Sequence, residues 1–290
     1  YNRKQVVVVM ELQARFDEEN NLQWSNQLKE HGAKVIYGAP NLKVHSKLLY
    51  IKRQDKGKDL SVAYVGTGNF NERTSRIYTD FALLTAEKRV VSEVGKVFKL
   101  LENNMERVSF RHLMVSPINY RRKIVQLIDK EIALAKTKKP ALIRIKLNNL
   151  TDRQMIEKLI EASMAGVRVE MIVRGICCLK TNLKKNPNLT VISIVDRYLE
   201  HARCMVFGND GNPLFYIGSA DLMERNLDYR IEVATPIFDP SIQAEITEIF
   251  DFQWRGTVKS RWITSDMKNE YRRTEGPPFH AQRNLYLKYE

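Results

Sequence analysis

The sequence predicts an α/β protein built as two related lobes, each a mixed, mostly parallel sheet flanked by helices. Two observations carry that expectation. A strand, helix, glycine, strand pattern occurs twice, and an internal repeat sets one histidine at the same distance from a strand in each copy.

In the first copy the apolar run from Val6 to Met10 reads as a buried strand. Residues 17–31 have helical spacing through Leu22, Trp24 and Leu28, and Gly32 ends that helix before a second strand, AKVIYG. The second copy reads IEKLIEASMAGVRVEMIVRG, with Ile156, Leu159 and Ile160 on the helix face and Val167 to Val173 as the strand. Between the copies, Ser116-Pro117 has the form of a cap and first-turn proline opening a basic helix. The domain boundary is therefore expected near Leu113, giving a first domain over 1–112 and a second over 113–290.

The repeat can be stated residue by residue. Val35-Ile36-Tyr37 precede His45 by ten, nine and eight residues, and Val191-Ile192-Ser193 precede His201 by the same offsets. Downstream, GTGNFNER from Gly66 matches GSADLMER from Gly218, aligning Asn69 with Asp221 and Glu72 with Glu224. The intervals from histidine to glycine fit hairpins whose turns, around QDKGKD and GNDGNP, differ in length. Two copies of one module, each with a histidine, could form one site at their shared interface.

Composition narrows the partners. With 47 Lys+Arg against 34 Asp+Glu the formal charge is +13, which favours polyanions over neutral or cationic ligands. At 43% apolar residues, 290 residues can bury a core in each of two domains. Cys177, Cys178 and Cys204 have neither zinc-site nor disulfide-framework spacing, so a reducing cytoplasm is expected. No run of about 18 apolar residues exists. A strand-like VVVVM so close to Tyr1 suggests that upstream sequence has been cut away.

His45-Ser46-Lys47 spaces its histidine and lysine so that, on a strand, both face one side. A neutral imidazole can attack phosphorus, and a neighbouring ammonium shields the incoming negative charge. A lone H-x-K is more often a half-exposed histidine on an amphipathic strand. Its recurrence as His201-Ala202-Arg203, with a guanidinium fork suited to phosphate oxygens, shifts the balance toward phosphoryl chemistry. Glu72 and Glu224 share a repeat position and could orient the histidines; pairing with Arg73 or Arg225 on the surface is the alternative. His31, His112 and His280 lie outside the repeat, and the lysine run from Lys136 to Pro140 reads as a solvated loop.

These residues resemble the phospholipase D superfamily, whose members pair two H-x-K motifs across a two-lobed α/β fold. Arg203 in place of lysine and Asp221 in place of asparagine depart from that pattern. The longer motifs ELQARFDEENN, APNLKVHSKL, GTGNFNERTSRIYTDFALLTA, LMVSP, KLNNL, MIVRGICC, DRYLEHARCMVF and SADLMERNLDYRIEVATPIFDP are similar to the two C-terminal domains of the bacterial polyphosphate kinase family, the large phosphohistidine type. The resemblance runs over nearly the whole chain.

The resemblance implies an ATP:polyphosphate phosphotransferase in which His45 is the phosphorylated nucleophile. His201 is implied as a nucleotide contact and as general acid for departing ADP. Tyr78 matches a nucleotide-contacting tyrosine, and Arg174 a phosphate-contacting arginine at a strand end. Lys47 and Arg203 are expected on the same nucleotide phosphates. Arg15 matches an arginine associated with the family's Mg²⁺ site; a guanidinium has no lone pair for a cation, so Arg15 is expected to hold phosphate oxygens whose other faces carry the metal. Also implied are ATP or ADP and inorganic polyphosphate as partners, no specific nucleic acid, a homo-oligomer and a peripheral association with the inner membrane. The rivals are a phospholipase D-like phosphodiesterase or nuclease, which Arg203, Tyr78 and Arg174 disfavour, and a non-catalytic polyanion-binding module, in which the repeated histidines would be idle.

Overall fold

The computed structural model describes residues 4–11, 18–38, 42–103, 108–181 and 186–290. The nominated Arg15 lies outside them, as does the first residue of the expected helix over 17–31.

The first lobe starts with β1 (Val7–Val9), α1 (Glu18–Glu30) and β2 (Lys34–Ile36), the two strands pairing in parallel. Leu22 and Trp24 of α1 are exposed, and only Ser25 is buried, so the apolar spacing of this helix does not mark a core face. Next come β3 (Lys43–Val44), β4 (Lys47–Ile51), the hairpin of β5 (Gln54–Asp55) and β6 (Lys58–Asp59), and β7 (Val62–Gly66). Lys56 and Gly57 at the tip both have positive φ, as a tight hairpin turn requires. The lobe continues with α2 (Glu72–Ser75), β8 (Tyr78–Thr79), β9 (Ala82–Thr85) and α3 (Lys88–Glu102). Strands β4, β7 and β9 form an antiparallel sheet, on which α3 lays Val90, Val94, Val97 and Leu101, one buried face at helical spacing.

The second lobe opens with β10 (Met114–Ser116) and α4 (Tyr120–Lys136), and Ser116-Pro117 is a cis peptide. Ser116 is thus the end of a strand and not a helix cap. It pairs with Glu232 and donates its hydroxyl to the carbonyls of Asn226 and Leu227, while Asn119 holds the position before α4. Ile124, Ile128 and Ile132 bury the inner face of α4. Then follow β11 (Leu142–Leu147), α5 (Arg153–Met164), β12 (Arg168–Val173), β13 (Leu189–Ile194), β14 (Leu199–Glu200), β15 (Cys204–Phe207), β16 (Leu214–Gly218), α6 (Glu224–Asp228), β17 (Arg230–Ile237), α7 (Pro240–Arg255), β18 (Ser260–Trp262) and α8 (Ala281–Tyr289). Asp239 caps α7 through the N–H groups of Ser241 and Ile242, with Pro240 in its first turn.

One large sheet runs β10-β17-β16-β15-β11-β12-β13-β18. It is parallel across β11, β12 and β13, with α5 crossing over between the first two, and antiparallel from β15 through β16 to β17. The sheet is mixed as expected but not mostly parallel, because five of the seven ladders in this order are antiparallel, among them those of β15, β16 and β17, which follow one another without a crossover, and those that close the sheet's edges. Two of its cores recruit residues from both halves: Ala63 and Val65 pack with Ile231 and Val233, and Phe81 and Leu83 lie against Ile217 and Phe250. No helix among the described residues is long and apolar enough to cross a membrane.

Candidate active site

The two lobes interlock through a pair of short parallel ladders. β3 pairs with β17 of the other lobe, Lys43 opposite Arg230 and Val44 opposite Ile231. The N–H groups of His45 and Ser46 then both donate to the Ile231 carbonyl, at 2.9 and 3.0 Å. β14 pairs with β8 in the same way, Leu199 opposite Tyr78 and Glu200 opposite Thr79. The N–H groups of His201 and Ala202 both donate to the Thr79 carbonyl, at 3.2 and 2.8 Å. Two successive N–H groups on one carbonyl make a bulge-like kink, a device that re-aims a side chain out of strand alternation. This corrects the expectation that His45 and Lys47 share a strand: β4 begins only at Lys47, and His45 stands in the kink before it.

Each histidine is held by a carboxylate of the opposite lobe. His45 Nδ1 lies 2.9 Å from Glu232, which is fully buried and also accepts from Asn226 Nδ2 at 2.6 Å and from the Ser219 hydroxyl. His201 Nδ1 lies 2.8 Å from Asp80, which accepts from the Thr67 hydroxyl at 2.6 Å. Carboxylates only accept, so each Nδ1 carries the proton and each Nε2 keeps its lone pair in the neutral ring. Space for the second pair depends on Gly68, where a Cβ would fall 2.1 Å from an Asp80 oxygen.

These carboxylates were missed in the sequence, although a signal exists. Asp80 follows Gly66, and Glu232 follows Gly218, by the same fourteen residues. The nominated glutamates do other things. Glu72 pairs with Arg76 one helical turn on, at 2.5 Å, and Glu224 is an exposed residue in the first turn of α6. The repeat partners Asn69 and Asp221 also diverge: Asn69 is exposed, whereas Asp221 is buried and ion-paired with Arg203 Nε at 3.1 Å.

Lys47 and Arg203 are buried, and the positive charges of both act on His45 and on His201. Lys47 donates to the His45 carbonyl. Arg203 donates through Nη1 to the His201 carbonyl at 2.9 Å and reaches His201 Nε2 at 3.3 Å. The Tyr78 ring lies 5.0 Å from the His201 ring. Arg174, just past β12, donates through Nε to Asn148 Oδ1 and to the Glu200 carbonyl, each at 2.8 Å. Arg230, which the sequence reading did not nominate, is the repeat counterpart of Tyr78 and flanks the His45 side.

Burial sets the charge state of this cluster. It lowers the pKa of His45 below the ordinary histidine value, against the pull of Glu232, and lowers that of His201 against Asp80. Burial also brings Lys47 down to about 7, with Glu232 opposing and Arg203 assisting. Asp80 goes the other way: burial alone would raise it, but hydrogen bonds from His201 and Thr67 hold it below the usual carboxylate value. The site thus presents two neutral imidazoles, with the His201 Nε2 lone pair facing Arg203 and that of His45 Nε2 available beside Lys47 and Arg203, an arrangement suited to nucleophilic attack on a phosphate by His45.

Among the described residues no group of three His, Cys, Asp or Glu side chains is placed to hold a metal. Asp80, Glu232 and Asp221 are already engaged with His201, His45 and Arg203, so the described residues do not fit a protein-held Mg²⁺. His31, His112 and His280 lie elsewhere, bonded to the Gln27 carbonyl, edge-on to Phe238 and capping α8 respectively.

Residues 1–107 match the model of polyphosphate kinase C-terminal domain 1, and residues 113–282 that of domain 2. The polyphosphate kinase of Escherichia coli strain K12 is 49% identical over 272 residues, covering 93% of this chain and 40% of that protein. The crystal structure of polyphosphate kinase from Porphyromonas gingivalis superimposes with a TM-score of 0.91 at 38% identity, covering 99% of this chain and 44% of that one. Phosphatidylserine synthase from Haemophilus influenzae shares the two-lobed fold alone, with a TM-score of 0.56 at 12% identity over 98% of this chain and 80% of that one. The chain spans about 40% of the length of the E. coli relative. With both family models matched in order along it, this chain belongs to the polyphosphate kinase family.

Proposed function

We propose that this chain carries the phosphotransfer centre of a polyphosphate kinase, moving the terminal phosphate of ATP to inorganic polyphosphate through a phosphorylated His45. The observation that carries the proposal is the crossed arrangement in which each lobe's histidine is held by the other lobe's carboxylate, with the charges of Lys47 and Arg203 acting on both.

In the first step the lone pair of His45 Nε2 forms a bond to the γ-phosphorus while the bond from that phosphorus to the β-phosphate oxygen breaks, and ADP departs with the electron pair. The Nδ1 proton stays in its hydrogen bond to Glu232, whose negative charge offsets the positive charge developing on the ring. In the second step a terminal oxygen of polyphosphate attacks the phosphohistidine, the N–P bond breaks, and His45 recovers its lone pair. Two in-line displacements give net retention at phosphorus. Lys47, Arg174 and Arg203 bind phosphate oxygens, and Tyr78 lies against the nucleotide. Mg²⁺ enters only as the companion of ATP.

His201 is better suited to contact than to proton donation in the resting site. Arg203 donates toward its Nε2, so that nitrogen has no proton to give until bound phosphates draw the guanidinium away and raise the ring's proton affinity. The departing β-phosphate of ADP is itself a stable anion and does not depend on protonation.

The test is chain lengthening by the full-length protein. With ATP and short polyphosphate, longer polyphosphate and ADP should accumulate together, and with excess ADP the reaction should reverse. Hydrolysis of a phosphodiester substrate without ATP consumption would instead identify the diesterase.

A further inference from the structure

The KLNNL motif contributes a residue that the phosphotransfer scheme has not used. Asn148, directly after β11, is 1% exposed. Its Oδ1 accepts from Arg174 Nε at 2.8 Å and its Nδ2 donates to the His201 carbonyl at 3.1 Å. Its backbone N–H donates to Asp221, the counter-ion of Arg203, at 2.8 Å, and its carbonyl accepts from Gly175 N–H at 2.7 Å. The amide orientation follows from its partners, because a guanidinium only donates and a carbonyl only accepts.

We propose that Asn148 is a positioning residue for phosphoryl transfer, aiming Arg174 at the phosphate donor and fixing the peptide that carries His201. This rests on the phosphotransfer reading above. The position needs a donor and an acceptor on one short side chain: aspartate lacks the donor, and alanine lacks both. Arg174 Nε is held from two sides, by Asn148 Oδ1 and the Glu200 carbonyl, while its two Nη groups have no hydrogen-bond partner among the described residues. The fork is therefore anchored at its root and open at its tip, as an arginine that waits for phosphate oxygens should be. Gly175 permits the close return of the chain, since a Cβ there would lie 2.7 Å from Asn149 Oδ1 and 3.0 Å from the Asn148 carbonyl.

A double-mutant cycle on the full-length protein tests the assignment. Asn148→Ala should raise the KM for ATP about tenfold, on the scale of losing one well-placed contact to a charged group. In an Arg174→Ala background the same change should leave that KM within about twofold, because its effect runs through Arg174. Asn148→Asp conserves volume and the acceptor facing Arg174 but loses the donor to the His201 carbonyl; it should lower kcat by roughly tenfold or more while the ATP KM moves less than about threefold. Additive KM effects of Asn148→Ala and Arg174→Ala, or an unchanged kcat in a folded Asn148→Asp protein, would overturn the positioning role while wild-type turnover kept the phosphotransfer reading standing. A wild-type protein without ATP-dependent chain lengthening would instead bring down that reading and this one together.

Discussion

At the scale of single residues the site depends on protons held at particular nitrogens. Glu232→Gln keeps an acceptor for His45 Nδ1 but removes the negative charge that offsets the ring's positive charge during attack. Phosphorylation of His45 should slow by roughly 10²–10⁴-fold, measured as single-turnover labelling by γ-labelled ATP; a rate within twofold of wild type would remove Glu232 from the mechanism. Lys47 makes a pH prediction. Burial brings its pKa down to about 7, below the free lysine value, so the site loses positive charge as pH rises through neutrality. Bound phosphates restore that charge, so binding at pH 8 should take up about one proton, read from the dependence of calorimetric heat on buffer ionisation enthalpy. Lys47→Arg should abolish the uptake, and an uptake that survives it belongs to another group. His45, held below the ordinary histidine pKa, stays neutral through pH 7, so its own titration should lower labelling on the acid side. The two histidines were legible in the sequence because the repeat fixes their offset from a strand. Asp80 and Glu232 obey an equally regular offset, but the two copies use different carboxylates there, whereas Glu72 and Glu224 are identical and stand closer to the glycine. Asn148 was not legible as a site residue: its role depends on what the end of β11 meets in space, and no repeat marks it.

Among the elements, the short ladders β3 with β17 and β8 with β14 matter most, since their kinks set both imidazoles. Strand runs, hairpins and the glycine-punctuated alternation could be read from periodicity and turn residues. The ladders could not, because two-residue strands carry no period of their own and pair across the whole chain. Ser116-Pro117 misled for a related reason: its composition suits a helix start, yet sheet pairing with Glu232 claims Ser116 for β10. In α1 the spacing was right and the burial was not, since Leu22 and Trp24 face outward. The small-residue segment after β7 gives an element-scale test. In Gly68→Ala the new methyl would overlap the Asp80 carboxylate, shifting the His201 partner while leaving the buried α3 face untouched. Turnover should fall at least about tenfold with cooperative unfolding preserved, and wild-type turnover would mean that Asp80 need not sit where it does.

For the molecule as a whole, the lobes form one unit, joined by shared cores and by crossed histidine–carboxylate pairs. The amides of His45, Ser46, His201 and Ala202 all bond to carbonyls of the opposite lobe. In native-state hydrogen exchange they should exchange together with the buried strand β17, and fast exchange of these four beside a protected β17 would mean that the lobes open independently. An internal repeat announced two lobes at the sequence level; that each lobe completes the other's histidine required the three-dimensional pairing. The central claim, that phosphate passes through His45, is tested most directly by exposing full-length wild-type and His45→Ala proteins to γ-labelled ATP and assaying the protein-bound label for acid and base stability. The account predicts an acid-labile, base-stable label on the wild-type protein and none on His45→Ala. The same acid-labile label persisting on His45→Ala would contradict it.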